Sequence, residues 1–186
     1  MRARVCSQNP HKLDELRASL PGWELELLEA DEYPPEDGTT YEENARGKAR
    51  YGRAHAPADE WVLGEDSGIE VAALGGAPGI YSARYGGDGS GKERVLRELE
   101  GVDDRRARYV CAVVAIAPDG RELVVTETLD GTVAHELRGS QGFGYDPLFV
   151  PAGEARTVAE LGDAWKAHHS HRARAAARLA ELTRGL

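Results

Sequence analysis

The chain has 186 residues, 41% hydrophobic and 30% charged, with a formal net charge of -9; this fits one folded domain with a buried core. No run approaches the ~18 consecutive apolar residues of a membrane helix, and the N-terminal MRARVCSQNP lacks the apolar segment of a secretory signal, so a cytoplasmic protein with no membrane partner is expected. The acidic excess argues against broad binding to nucleic acid but leaves room for a small anionic substrate where charge is locally reversed.

Residues 2–7 read as a first strand. Asn9-Pro10 supplies a cap and a proline at the first helical position, opening a helix through about Leu20. Trp23 to Leu28 alternates as a second strand, and Thr40 with Glu43 forms a capping-box pattern for a helix over about 41–55. A strand is expected at 61–65 and another at 69–73, with Glu65-Asp66-Ser67 and a Gly/Pro-rich loop reading as the end of the first. Ser90 with Glu93 repeats the capping box for a helix to Leu99. Arg108 to Ala117 is strongly strand-like and turns at Pro118-Asp119-Gly120 into a paired segment at 121–130, which 132–138 extends. A glycine-rich loop fills 139–147, and Ser170 caps a final helix rich in alanine and leucine. The order implies a mixed α/β fold in which any two lobes share one core. Cys6 and Cys111 fall in strands without metal-site spacing and read as buried thiols of a reducing compartment.

Five segments carry chemistry. In Ser7-Gln8-Asn9-Pro10-His11-Lys12 a strand runs through a polar loop into a helix, where first-turn amides and a lysine can cradle an anion; a plain helix cap would look the same. Only four of the 23 basic residues are lysines (Lys12, Lys48, Lys92 and Lys166), and a lysine is a compact charge suited to phosphate. In the second segment Thr40, Asn44 and Lys48 are four apart and share a helix face, with Glu36 entering from the preceding loop and Glu43 at the helix start. The third is Glu65-Asp66-Ser67: neighbours on a strand point to opposite sides, so one carboxylate faces a site unless the chain turns there. Such an acid can hold Mg²⁺ or take a proton from water.

The fourth segment is Gly142-Phe143-Gly144-Tyr145-Asp146-Pro147, in which glycines allow a flat ligand to stack on Phe143 while Asp146 accepts from a base N–H. The fifth joins Lys166 to Ser170-His171-Arg172, whose cations oppose the dipole of the helix they open and so call for an anionic or carbonyl partner. By contrast, Gly86 to Lys92 fits G-x-x-x-x-G-K but continues with Glu93 where a nucleotide-binding P-loop needs Ser or Thr.

Together the segments resemble the non-canonical purine nucleoside triphosphate pyrophosphatases, the inosine/xanthosine triphosphatase or Ham1-like family. The resemblance runs from about Ala3 to Leu179 and rests on SxNxxK at 7–12, EDGTTYEENARGKA at 36–49, EDSGIEVAALGGAPGIYSARY at 65–85, GFGYDP at 142–147 and KxxxSHR at 166–172. It implies an elongated mixed β-sheet flanked by helices, with two lobes around a nucleotide-binding cleft, assembled as a homodimer. The implied reaction is Mg²⁺-dependent hydrolysis of dITP, ITP and XTP to the monophosphate and pyrophosphate. The resemblance places Ser7 to Lys12 on the phosphate loop, Lys48 on the phosphate-contacting helix, and Asp66 as catalytic base and metal carboxylate. Glu36 becomes a second metal acid, with Glu43 and Glu65 as further metal or structural acids, and Ser67 touches substrate. Phe143, Gly144, Tyr145, Asp146, Lys166, His171 and Arg172 form the nucleobase pocket. Glu65 departs from the family's usual Asp, and Ser7 stands where Thr is common.

Overall fold

The computed structural model describes residues 1–87 and 91–185. Its elements are β1 (Arg2–Cys6), α1 (Pro10–Ser19), β2 (Glu24–Leu27), α2 (Tyr41–His55), β3 (Trp61–Val71), α3 (Gly91–Glu98), β4 (Arg106–Ile116), β5 (Glu122–Val133), β6 (Phe149–Pro151), α4 (Val158–Leu161), α5 (Asp163–His169) and α6 (His171–Leu182). The strands form one six-stranded sheet in the order β2-β1-β3-β4-β5-β6. It is mixed: β1 runs parallel to both β2 and β3, pairing Ala3 with Leu25 and with Trp61, whereas β5 and β6 are antiparallel, pairing Thr132 with Val150.

The chain divides into two compact units. The first comprises Met1–Asp66, Cys111–Glu127 and Arg172–Leu186; the second comprises Ser67–Val110 and Thr128–His171. Each has its own apolar cluster, where the sequence suggests one shared core. In the first unit Val5, Leu63 and Val113 of the sheet pack with Leu13, Leu16 and Leu20 from α1 and its C-cap, and with Ala175, Ala176 and Leu179 of α6. In the second, Ile69, Val71, Leu129 and Phe149 pack with Val95 and Leu99 of the α3 region and with Leu148 and Val158.

The caps set the two helices that matter most. Asn9 is extended, and its side-chain oxygen accepts from the His11 amide at 3.0 Å, with Pro10 at the first helical position. Thr40 caps α2 by accepting from the Glu43 amide at 3.1 Å. The Glu43 carboxylate, however, accepts from the amide and hydroxyl of Thr39, each at 2.7 Å. This anchors the loop before the helix and holds the exposed Glu43 carboxyl below its ordinary range. The cap expected at Ser90 lies outside the described residues.

Three expectations about elements change. Residues 61–71 form one strand rather than two; Glu65, Asp66 and Ser67 lie in its middle, and the Gly/Pro-rich turns begin only after Val71. β5 continues to Val133, and the expected extension over 134–138 is irregular. Short β6, α4 and α5 have no periodicity long enough to announce them. Thr157 and Glu160 do form a full capping box at α4.

Candidate active site

Within the first unit, β3 presents its even- and odd-numbered residues to different neighbours, as strand geometry requires. Val62 and Gly64 face α2, and a Cβ built on Gly64 would lie 2.0 Å from the Ala45 carbonyl oxygen and 2.5 Å from the Ala49 nitrogen. The face of α2 in contact carries small residues, Ala45, Ala49 and Gly52, so helix and strand backbones approach closely. That approach delivers two polar side chains of α2 to the next even-numbered residue, Asp66. Asn44 Nδ2 donates to Asp66 Oδ2 at 3.1 Å, and Lys48 Nζ donates to Asp66 Oδ1 and to the Glu65 carbonyl, each at 3.1 Å. Glu36 ion-pairs with the same ammonium from the preceding loop. The Asn44 side-chain oxygen accepts from the Gly38 amide at 2.9 Å, fixing that loop to the helix.

Asp66 is buried, and burial pushes its carboxyl above the ordinary aspartate value, with Lys48, Lys12 and the Asn44 amide only partly opposing the shift. Lys48 is pulled down by the same burial, but Asp66, Glu36 and Glu65 outweigh it and its ammonium titrates above the ordinary lysine value.

On the odd-numbered side, Glu65 is enclosed by the helices that build the first core. Lys12 Nζ of α1 lies 2.7 Å from Oε2, while Arg172 of α6 approaches Oε1 with Nη2 at 2.9 Å and Nε at 3.3 Å. Cys111 Sγ donates to Oε1 at 3.4 Å, and Arg172 Nη1 ion-pairs with Glu15. Complete burial opposes ionisation of Glu65, but Lys12 and Arg172 overcome it and hold the carboxyl well below its ordinary value. The anion that the sequence demands near Arg172 is thus supplied by the protein itself. Glu65 is an internal counter-ion, and Glu15, which no motif marks, belongs to the same network. Cys6 and Cys111 are free and buried.

The Ser7–Lys12 loop leads directly into α1. Ser7 Oγ accepts from the Asn9 amide at 3.1 Å. With both side-chain oxygens of Ser7 and Asn9 serving as acceptors within the turn, these residues can offer an anion the hydroxyl hydrogen and the Asn9 NH₂. Gln8, Pro10 and His11 are exposed, and Ser7 is buried.

The second unit gathers a different set. Asp146 Oδ2 accepts from the Phe143 amide at 2.8 Å and from Lys166 Nζ at 2.6 Å, and Tyr109 donates to Oδ1 at 3.2 Å. The Lys166 ammonium also lies 4.7 Å from the centre of the Phe143 ring. Gly142 has φ +74°, and a Cβ there would come within 2.1 Å of Asp146 Oδ2, so glycine is required on both counts. The Tyr109 ring stacks on His171 at 4.6 Å and tilts against Phe149 at 4.3 Å. Tyr145 turns into the second core and donates to the Ser82 carbonyl at 2.9 Å, burial pushing its phenol up to about 12. Gly144 is exposed, and Ser67 is half-buried in β3 at the start of this unit.

The predicted residues therefore fall into two groups. Lys12, Glu36, Lys48, Glu65, Asp66 and Arg172 are linked within the first unit, and in the second Phe143 and Lys166 meet at Asp146, which Tyr109 joins to His171. Tyr109 and Glu15 carry no motif signal, because each gains its role from a partner far away in sequence. Among the described residues no three Asp, Glu, His or Cys side chains form a ready metal cage. Glu36 and Asp66 nevertheless converge on one cation, Lys48. Two carboxylate donors completed by phosphate oxygens and water form a set suited to Mg²⁺, which seldom uses an all-protein cage.

Residues 3–182 match the Ham1 family profile. The chain is 46% identical over 179 residues to a dITP/XTP pyrophosphatase of Gloeobacter violaceus, covering 94% of this chain and 90% of that protein. Its fold superposes on the Ham1 protein of Staphylococcus aureus with a TM-score of 0.87 at 34% identity, over 100% of this chain and 99% of that one. A dITP/XTP pyrophosphatase from Mycobacterium abscessus superposes with a TM-score of 0.74 at 40% identity, over 96% and 98% of the two chains.

Proposed function

This chain belongs to the Ham1 family, and from that premise we propose that it hydrolyses dITP, ITP and XTP to the nucleoside monophosphate and pyrophosphate, removing these purines from the nucleotide pool. The observation that carries the reading is Asp66, a buried carboxylate held in the middle of β3 by Asn44 and Lys48 of α2. Water attacks the α-phosphorus and pyrophosphate leaves. Asp66 orients that water and takes its proton, and the burial that raises its carboxyl makes the anion a stronger base. Lys48, Lys12 and the amides opening α1 meet charge on the phosphate oxygens. Glu36 and Asp66 are the residues that would hold Mg²⁺, which when bound would draw charge from the phosphate oxygens.

Base recognition belongs to the second-unit cluster in this reading. Phe143 offers a ring for stacking and Asp146 an acceptor for the N1–H that hypoxanthine and xanthine carry and adenine lacks. Lys166 and His171 offer donors toward a carbonyl such as O6. Arg172 acts from the first unit by fixing Glu65. Homodimeric assembly and cytoplasmic residence complete the proposal, supported by the family resemblance.

The test is pyrophosphate release measured across ITP, XTP, GTP, dUTP and dTTP with Mg²⁺ present. Preferential turnover of ITP and XTP is expected. A preference for either pyrimidine nucleotide would overturn the substrate class, and absence of turnover with retained nucleotide binding would make the chain a sensor instead.

A further inference from the structure

Tyr109 of β4 is buried at 5% exposure, and it touches two groups of the base-reading cluster at once. Its ring is the middle of three, between Phe149 and His171. Its hydroxyl reaches Asp146 Oδ1. The Phe143 amide and Lys166 Nζ meet on Oδ2. The terminal torsion of aspartate is broad, and donors on both oxygens hold the carboxylate against turning about it more firmly than donors on one oxygen do.

We propose that Tyr109 is a positioning residue for oxopurine recognition: its hydroxyl steadies the Asp146 carboxylate from Oδ1 and its ring seats His171. The proposal rests on reading the second-unit cluster as the nucleobase pocket. The two contributions separate cleanly, since phenylalanine keeps the ring and loses only the hydroxyl.

The experiment compares wild type with Tyr109→Phe in three measurements: binding of IMP, inhibition by pyrophosphate, and kcat and KM for dITP, XTP and dATP. The hydroxyl acts on the base only through Asp146, so its loss should have the effect of one ordinary hydrogen bond, about a 3- to 10-fold change. Tyr109→Phe should weaken IMP binding and raise KM for dITP and XTP by that factor. It should lower the preference over dATP while kcat and pyrophosphate inhibition stay within about twofold. A general loss of structure would move all of these together. Tyr109→Phe placed in an Asp146→Asn background should add little if the hydroxyl acts through Asp146. Unchanged IMP binding, a fall in kcat at constant KM, or full additivity with Asp146→Asn would each overturn the proposal. Because IMP binding needs no turnover, failure of wild type to hydrolyse dITP or XTP would refute the activity, while the IMP measurement would still decide the role of Tyr109.

Discussion

Lys48 Nζ lies 3.1 Å from Asp66 Oδ1 and also pairs with Glu36, so one ammonium draws together two carboxylates from different parts of the first unit. A buried ion pair gives little net stability, because desolvation offsets most of its attraction. Its value here is positional. The lysine opposes the upward pull of burial on the Asp66 carboxyl and holds it at the strand centre.

Asp66 should govern the acid limb of the pH–rate profile. Its carboxyl titrates above the ordinary 3.8, and the protonated form cannot accept a proton from water. The rate constant kcat/KM should therefore fall on acidification with a midpoint above that value. Asp66→Asn should lower kcat by about 10²–10⁴ while retaining much of the nucleotide affinity, as read by steady-state kinetics and calorimetry. Full rate in this variant would remove Asp66 as base.

Glu65 should govern acid stability instead. Its folded-state value is lowered well below 4.5, so the stability it contributes is fully present above the unfolded glutamate value and is lost as pH falls through the lowered one. Glu65→Gln leaves Lys12 and Arg172 without their shared anion and should cost about 3–5 kcal/mol at neutral pH. Urea titrations at pH 7 and at several points below 4.5 should show the gap between variant and wild type narrowing as pH falls. A gap constant with pH would contradict this.

Gly64→Ala tests the close approach of α2 to β3. The added Cβ meets helix backbone rather than a movable side chain, so α2 must shift. Overpacking of this kind typically costs about 1–3 kcal/mol. Since Asn44 and Lys48 move with the helix, kcat/KM should fall about tenfold or more even at temperatures where the variant is folded, a distance-sensitive loss. Wild-type kinetics in a folded variant would show that the approach has no bearing on the site.

The two thiols should be inert while the protein is folded. Burial pushes Cys6 up to about 11 and Cys111 well above the ordinary thiol value, and thiolate is the reactive form. Iodoacetamide at pH 7.5 should label neither residue in native protein and both in denaturant, as counted by mass spectrometry. Rapid native labelling of Cys111 would show that the Glu65 network opens.

Much of this site can be read from local spacing. Asn9-Pro10 and Thr40 mark the starts of α1 and α2, and Asn44 with Lys48 must share a helix face at four-residue separation. The acids of β3 are harder, because Glu65-Asp66-Ser67 beside glycines looks like the end of a strand. What keeps the strand going is tertiary. Lys12, Lys48 and Arg172 come from three helices to neutralise charges that would otherwise exclude this segment from the interior. A helix that opens with His171-Arg172 signals a need for an anion, but nothing local says that the anion is Glu65. Tyr109 is concealed for the same reason: within a strand of valines and alanines it reads as core, and its partner Asp146 lies 37 residues on.

The continuity of β3 turns two neighbouring acids into a frame-dependent pair. Delete or insert one residue between Gly64 and Asp66 without a compensating bulge, and side chains downstream exchange sides of the sheet. The carboxylate proposed as base would then be directed toward the counter-ion enclosure. Parity along this strand, more than the choice of Glu or Asp at either position, separates the acid proposed as base from the acid that anchors.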